Sequence, residues 1–208
     1  MNLARSERQA ICDTLLAVGP GAPTLCGDWT TADLAAHLWV RENEFPAVAA
    51  VMMPRERQEA LRMAAARSRL PFAELVADLR RGPRGLSPFR LPGVDARANA
   101  LEFFVHHEDV RRAGSHPLPP REMPEALERE LWDVVKRSSR LLFRSAPFGV
   151  DLETPDGRIL PVRRRRRVTV VGEPGELLLW ATGRTTAAHV QVLGDASDVA
   201  RLTARLGI

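Results

Sequence analysis

Several residue types are scarce in this chain, and each shortage narrows what it can do. Among 208 residues there is no tyrosine, one lysine (Lys136) and only two cysteines. Cys12 and Cys26 fit no CxxC or zinc-finger spacing, so a disulfide framework is not indicated and both read as core thiols or bystanders. No apolar run approaches the roughly 18–20 residues of a membrane span. The opening Met1-Asn2-Leu3-Ala4-Arg5-Ser6-Glu7 lacks the apolar stretch of a secretory signal, so a cytoplasmic location without a membrane partner is expected. Neither a Gly-rich phosphate loop nor a Ser-His-Asp arrangement is evident. The use of arginine over lysine, with abundant Ala, Gly and Pro, reflects a high-GC bacterial genome and carries no chemistry.

At 45% hydrophobic and 27% charged, the chain has the balance of a globular protein able to bury a core. Its net charge of +4 implies no general affinity for nucleic acid. The run Arg163-Arg164-Arg165-Arg166-Arg167 is the one local exception. On an edge strand, alternate arginines would point to opposite faces, which favours a solvated basic edge over a nucleic-acid patch or a contact to an anionic cofactor.

Helical periodicity runs from Leu3 to Val18 and stops at Gly19-Pro20-Gly21. A second helix has a stronger start: Thr30 caps, Asp33 stands three residues on, and Trp29 can staple onto Leu34. It carries His37 inward, on the face of Leu34, Leu38 and Arg41. Pro46 should bend it before residues 47–53 resume, and residues 54–69 are charged but helix-permissive. A short helix spans 71–81. The loop 82–93, rich in Gly and Pro, is a possible lid or cleft wall. Asp95 can cap a helix reaching Arg112, with Gly114 as its stop, and a long helix covers 122–144.

After Ser145 the period becomes strand-like. Strands at 150–154 and 159–162 flank the turn Pro155-Asp156-Gly157-Arg158, with further strands at 168–171 and 190–193 and helices at 174–182 and 196–206. The expected fold is mainly α: an up-and-down helical bundle over 1–146, followed by a small α/β domain over 147–208.

Three residues stand out as a metal set. Glu102 and His106 are four apart, so on a helix they share a face one turn from each other, and His37 would come from a second helix. Two histidines and a carboxylate hold Zn²⁺ with a fourth position open, as in catalytic sites. The same set suits Fe²⁺, Ni²⁺ or Co²⁺. With Glu102 at zero on a helical wheel, His106 falls at about 40° and Asp109 at about −20°, while His107 falls near 140° and Glu108 near 240°. Leu101, Phe103, Phe104 and Val105 surround Glu102, and a buried carboxylate needs a partner. The plainer alternative is an ordinary Glu102–His106 pair, with His37 a polar residue at a helix edge. Asp109 reads either as a group orienting a ligand or as a helix-pair salt bridge. His116 and His189 read as surface or structural residues.

The segment Leu25-Cys26-Gly27-Asp28-Trp29-Thr30 leading to Asp33-Leu34-Ala35-Ala36-His37-Leu38, with Glu102-Phe103-Phe104-Val105-His106-His107-Glu108-Asp109-Val110, resembles the mycothiol-dependent maleylpyruvate isomerase family of the DinB-like superfamily. Val168-Thr169-Val170-Val171-Gly172-Glu173-Pro174 and Trp180-Ala181-Thr182-Gly183-Arg184 are similar to that family's small C-terminal domain, and the chain looks closest to an uncharacterised actinobacterial metal-binding branch. The resemblance implies a four-helix bundle with a divalent metal, usually zinc, on His37, Glu102 and His106. It also implies mycothiol as a thiol cofactor and Arg184 as a catalytic and cofactor-binding carboxylate clamp. The function expected is a thiol S-transferase or isomerase acting on a small electrophilic or carboxylate substrate, as a monomer or homodimer without nucleic acid. The alternative is a metal- or thiol-binding regulatory protein without turnover.

Overall fold

The computed structural model describes residues 2–43, 60, 63–67, 70–84, 87 and 94–206. These residues form two compact units, Asn2–Leu118 and Pro119–Ile208. The expected bend at Pro46, the segment 47–53 and most of the loop 82–93 lie outside the described residues.

Among the described residues the first unit includes the helices α1 (Leu3–Val18), α2 (Thr31–Asn43), α3 (Phe72–Arg81) and α4 (Val94–Arg111), with residues 63–67 also helical. α1 lies along α4 and α3, and α2 packs on α3 and touches α4. Ile11, Leu15, Leu34, Leu38, Val76 and Phe103 meet in one core, where truncating a leucine to alanine costs about 2–5 kcal/mol. The start of α2 is fixed as the sequence indicates. The Thr30 N–H donates to Asp33 Oδ2 at 3.0 Å, and the Asp33 N–H reaches Thr30 Oγ1 at 3.4 Å, a reciprocal cap on two otherwise orphaned donors.

A buried polar seam joins α1 to α4. His107 Nδ1 lies 3.0 Å from Glu7 Oε2, and its Nε2 lies 2.9 Å from Thr14 Oγ1. His107 therefore points along α1, away from the Glu102 face, as its place on the helical wheel requires.

The second unit comprises α5 (Glu125–Leu142), β1 (Gly149–Glu153), β2 (Ile159–Val162), β3 (Arg166–Val171), α6 (Pro174–Ala181), β4 (Gln191–Leu193) and α7 (Ala196–Thr203). α6 is buried on all sides, and α5 packs against it with Phe143 stacked near Trp180. That packing is why the units part at Leu118/Pro119. The period change near residue 146 marks the onset of the sheet instead, and α5 counts with the strands that follow it.

The sheet order is β2-β1-β3-β4, with β1 antiparallel to β2, parallel to β3, and β3 antiparallel to β4. β1 thus lies between β2 and β3, which residues 163–165 connect by passing across its first residue. A Cβ on Gly149 would sit 2.7 Å from Arg164 O and 2.8 Å from Val162 O, so only glycine fits under that crossing. The arginine run is consequently not one edge strand. Arg163 and Arg165 adopt left-handed φ of 65° and 56°, and Arg166 and Arg167 open the interior strand β3. Arg163 donates to the carbonyls of Phe143 and Ala146 beyond the end of α5, Arg166 pairs with Asp151, and Arg167 pairs with Asp198.

Smaller differences have local causes. α5 begins at Glu125 because Pro124 serves as its cap, and α7 ends at Thr203. Asp95 lies inside α4, which begins at Val94. Among the described residues no helix is long and apolar enough to cross a membrane.

Candidate metal centre

His37, Glu102 and His106 come together in the first unit. Their ligand-capable atoms all lie within 4.8 Å of one another. α2 presents His37 one turn from Arg41, and α4 presents Glu102 and His106 at successive turns. Glu102 Oε2 lies 3.8 Å from His37 Nε2 and 3.4 Å from His106 Nε2. Both gaps exceed the 2.7–3.2 Å of an ordinary hydrogen bond and approach the ~3.3 Å between donors on a tetrahedral zinc with bonds of about 2.0–2.1 Å. The donor set therefore fits a divalent cation. The His37 and His106 rings meet edge to face at 5.1 Å, and the Trp29 ring lies 5.2 Å from that of His37.

The second nitrogen of His106 is held differently. Its Nδ1 lies 2.8 Å from Asp109 Oδ2, a full hydrogen bond to a fully buried carboxylate. With the proton on Nδ1, the Nε2 lone pair points toward Glu102 and His37, the tautomer that a metal-binding histidine needs. Asp109 thus holds His106 by a contact that is also a charge pair whenever the ring is protonated. Cys26 reaches the same carboxylate: its Sγ donates to Asp109 Oδ2 at 3.0 Å and lies 3.7 Å from His106 Nδ1. Cys26 is no bystander. A cysteine has no periodic signature, and its only sequence signal was its place three residues before Trp29 in the segment leading into α2.

Charge is concentrated at this site. Burial opposes ionisation of Glu102, yet the imidazoles of His106 and His37 and the Arg41 guanidinium hold its carboxyl well below the usual range. Burial likewise opposes the imidazolium of His106. Hydrogen bonds with Asp109, Cys26 and Glu102 outweigh it and push the ring well above its ordinary value. The two shifts describe a site that concentrates positive charge against carboxylates.

Arg41 supports Glu102 from the other side. Its Nη2 lies 3.5 Å from Glu102 Oε1, leaving Oε2 toward the imidazoles, while its Nη1 donates to Asn99 Oδ1. Asn99 in turn donates to Glu42 Oε1 at 2.7 Å, and Glu42 pairs with the buried Arg8.

The remaining predicted residues lie elsewhere. Arg184 belongs to the second unit, where its Nη1 donates to the Thr182 carbonyl at 2.8 Å. His116 is exposed, and the backbone N–H of His189 donates to Glu176 Oε2 at 2.7 Å.

No family model and no curated protein matches the chain. Two solved structures do, both of a mycothiol-dependent maleylpyruvate isomerase. The structure of a histidine-to-alanine variant matches with TM-score 0.58 and 18% identity, covering 91% of this chain and 90% of that one. Another crystal structure of the isomerase matches with TM-score 0.56 and 17% identity over the same shares. At this identity the likeness establishes a shared fold, and the overall architecture anticipated from the sequence motifs, a helical part followed by a small α/β part, is found.

Proposed function

We propose that this chain is a divalent-metal protein of the thiol-using isomerase or transferase type, with His37, Glu102 and His106 as ligands. The single observation that carries this is the triangle of His37 Nε2, Glu102 Oε2 and His106 Nε2, spaced wider than hydrogen bonds and close to the span of one ion. The shared fold with a mycothiol-dependent isomerase supports the thiol part of the reading. In this reading α1 to α4 act as a DinB-type up-and-down bundle, and the ion, with zinc the first expectation, leaves one position for an exogenous ligand.

A divalent cation there would supply Lewis acidity that lowers the pKa of a thiol, whose thiolate is the nucleophile. The chain's own residues do the rest. Asp109 keeps the His106 proton on Nδ1, so Nε2 remains a donor atom. Arg41 holds Glu102 by one oxygen, leaving the other toward the imidazoles. Trp29 walls the outer side of His37. Arg184 is proposed as the carboxylate clamp of the second unit, a role its guanidinium suits through bidentate geometry. The reaction class is addition of a cofactor thiolate to a small electrophile, ending in either conjugation or isomerisation.

Cobalt-substituted protein tests this directly. Titration with a low-molecular-weight thiol such as mycothiol should produce a sulfur-to-cobalt charge-transfer band, followed by turnover with cis-enediones or simple electrophiles. A thiol band without turnover on any such substrate would contradict the enzymatic reading and leave a binding protein. Absence of the band would contradict thiol use.

A further inference from the structure

We infer that Cys26 and Asp109 form an outer relay that sets how tightly His106 holds a cation, which makes Cys26 a positioning residue of the metal centre. This rests on the proposed metal reading and adds to it a residue that the ligand set does not contain.

Geometry carries the inference. Asp109 is fully buried, and a single oxygen, Oδ2, receives both His106 Nδ1 at 2.8 Å and the Cys26 thiol at 3.0 Å. The thiol therefore competes for the charge that fixes the imidazole. A donor on that oxygen weakens its pull on the Nδ1 proton and so adjusts the basicity that Nε2 offers to a cation.

The thiol is also held in place. The Leu25 N–H donates to the Asp109 carbonyl at 3.0 Å, which pins the backbone beside Cys26 to α4. Thr24 Oγ1 accepts from the Cys26 N–H at 3.1 Å and donates to the Trp29 carbonyl at 2.8 Å, closing the turn. A bridge between Pro23 and Thr30 completes it. One short segment therefore serves both imidazoles, with Trp29 against His37 and Cys26 against the Asp109 carboxylate that holds His106.

A second use of the same atoms is direct ligation by sulfur, since Cys26, His106 and Asp109 are themselves compact enough to surround an ion. Nδ1 argues against it. It is committed to Asp109, and a cation on that side would require the ring to release the proton that keeps Nε2 available to Glu102 and His37.

The test is zinc affinity by chelator competition on wild type, Cys26→Ser, Cys26→Ala and Asp109→Asn, with circular dichroism and thermal melting as folding controls. The account predicts that Asp109→Asn weakens binding about 10–100-fold. Cys26→Ala should shift the affinity clearly at unchanged stoichiometry, with Cys26→Ser, which keeps a donor, returning it toward wild type. Affinity identical in wild type, Cys26→Ala and Cys26→Ser would overturn the relay. A sulfur-to-cobalt band in wild type without added thiol, lost in Cys26→Ala, would overturn it in favour of direct ligation. If Cys26→Ala fails to fold, Cys26→Val, which likewise removes the donor, takes its place: a shifted affinity supports the relay and an affinity identical to wild type overturns it. A wild type that binds no metal would instead contradict the metal centre itself.

Discussion

The His37 and His106 rings meet in a T-shaped arrangement, with centroids 5.1 Å apart and planes crossing at 74°. Two helices far apart in sequence, α2 and α4, thus bring their imidazoles together beside one carboxylate. Hydrogen bonds with Asp109, Cys26 and Glu102 outweigh burial at His106, so the metal-free protein holds the proton of this ring more tightly than an ordinary imidazole does.

A cation must displace that proton. Zinc affinity should therefore rise with pH, by about tenfold per pH unit, until pH passes the raised value of His106. Affinity measured across the range should plateau only in the alkaline region. The metal-free protein should behave oppositely at that end. The His106 contribution is fully present below the ordinary value of 6.5 and lost as pH rises through the folded value. The Glu102 contribution is present above its ordinary 4.5 and lost as pH falls through the lowered one. Between 4.5 and 6.5 both act together, and the Tm difference between metal-free wild type and His106→Gln should be largest there.

The two cysteines should react very differently. Cys12 is fully buried, and burial pushes its thiol up to about 12, so it should be inert to thiol reagents in the native state. Cys26 is partly exposed and should take up a single equivalent. Alkylation there should also weaken zinc retention. Mass spectrometry after native and denatured labelling gives the count, and labelling of Cys12 in the native protein would contradict the packing described.

The α1–α4 seam should matter for stability and not for metal. Glu7→Ala leaves the buried His107 without its hydrogen-bond partner on Nδ1 and should cost about 1–3 kcal/mol. Thr14→Val should cost about 1 kcal/mol. Metal stoichiometry should stay unchanged in any variant that folds, because His107 faces α1. Denaturant unfolding beside elemental analysis checks both halves.

In the second unit, Gly149→Ala should destabilise by about 1–3 kcal/mol, since its Cβ would collide with backbone carbonyls that cannot move aside independently. Arg163→Gly and Arg165→Gly should differ although both residues have positive φ. The first loses donors to the carbonyls of Phe143 and Ala146, a cost of about 1 kcal/mol. The second removes a left-handed side chain that is exposed, and should be neutral or mildly stabilising. Thermal melts of the three variants would show the ordering.

How much of this was legible follows from which physics is local. The cap at Thr30 and Asp33, the helix from Leu3 to Val18 and the shared face of Glu102, His106 and Asp109 depend on spacing alone, and spacing was enough. The turn of His107 away from that face, toward α1, followed from the same wheel. The Cys26 thiol on Asp109 joins residues distant in sequence, with no periodicity to reveal the contact. The arginine run misled for a similar reason. Alternation assumes an unbroken strand, whereas left-handed backbone at Arg163 and Arg165 carries the chain across β1, and only the tertiary clash at Gly149 explains that path. The unit boundary was likewise hidden, because the partner of α5 is α6, which comes after the strands.

Metal content measured by elemental analysis is the most direct test of the central claim, on wild type beside His37→Ala, Glu102→Ala and His106→Ala. The account predicts about one divalent ion per chain in wild type and loss in all three variants while circular dichroism remains native. No metal in wild type even after reconstitution, or full occupancy retained in His106→Ala, would contradict it.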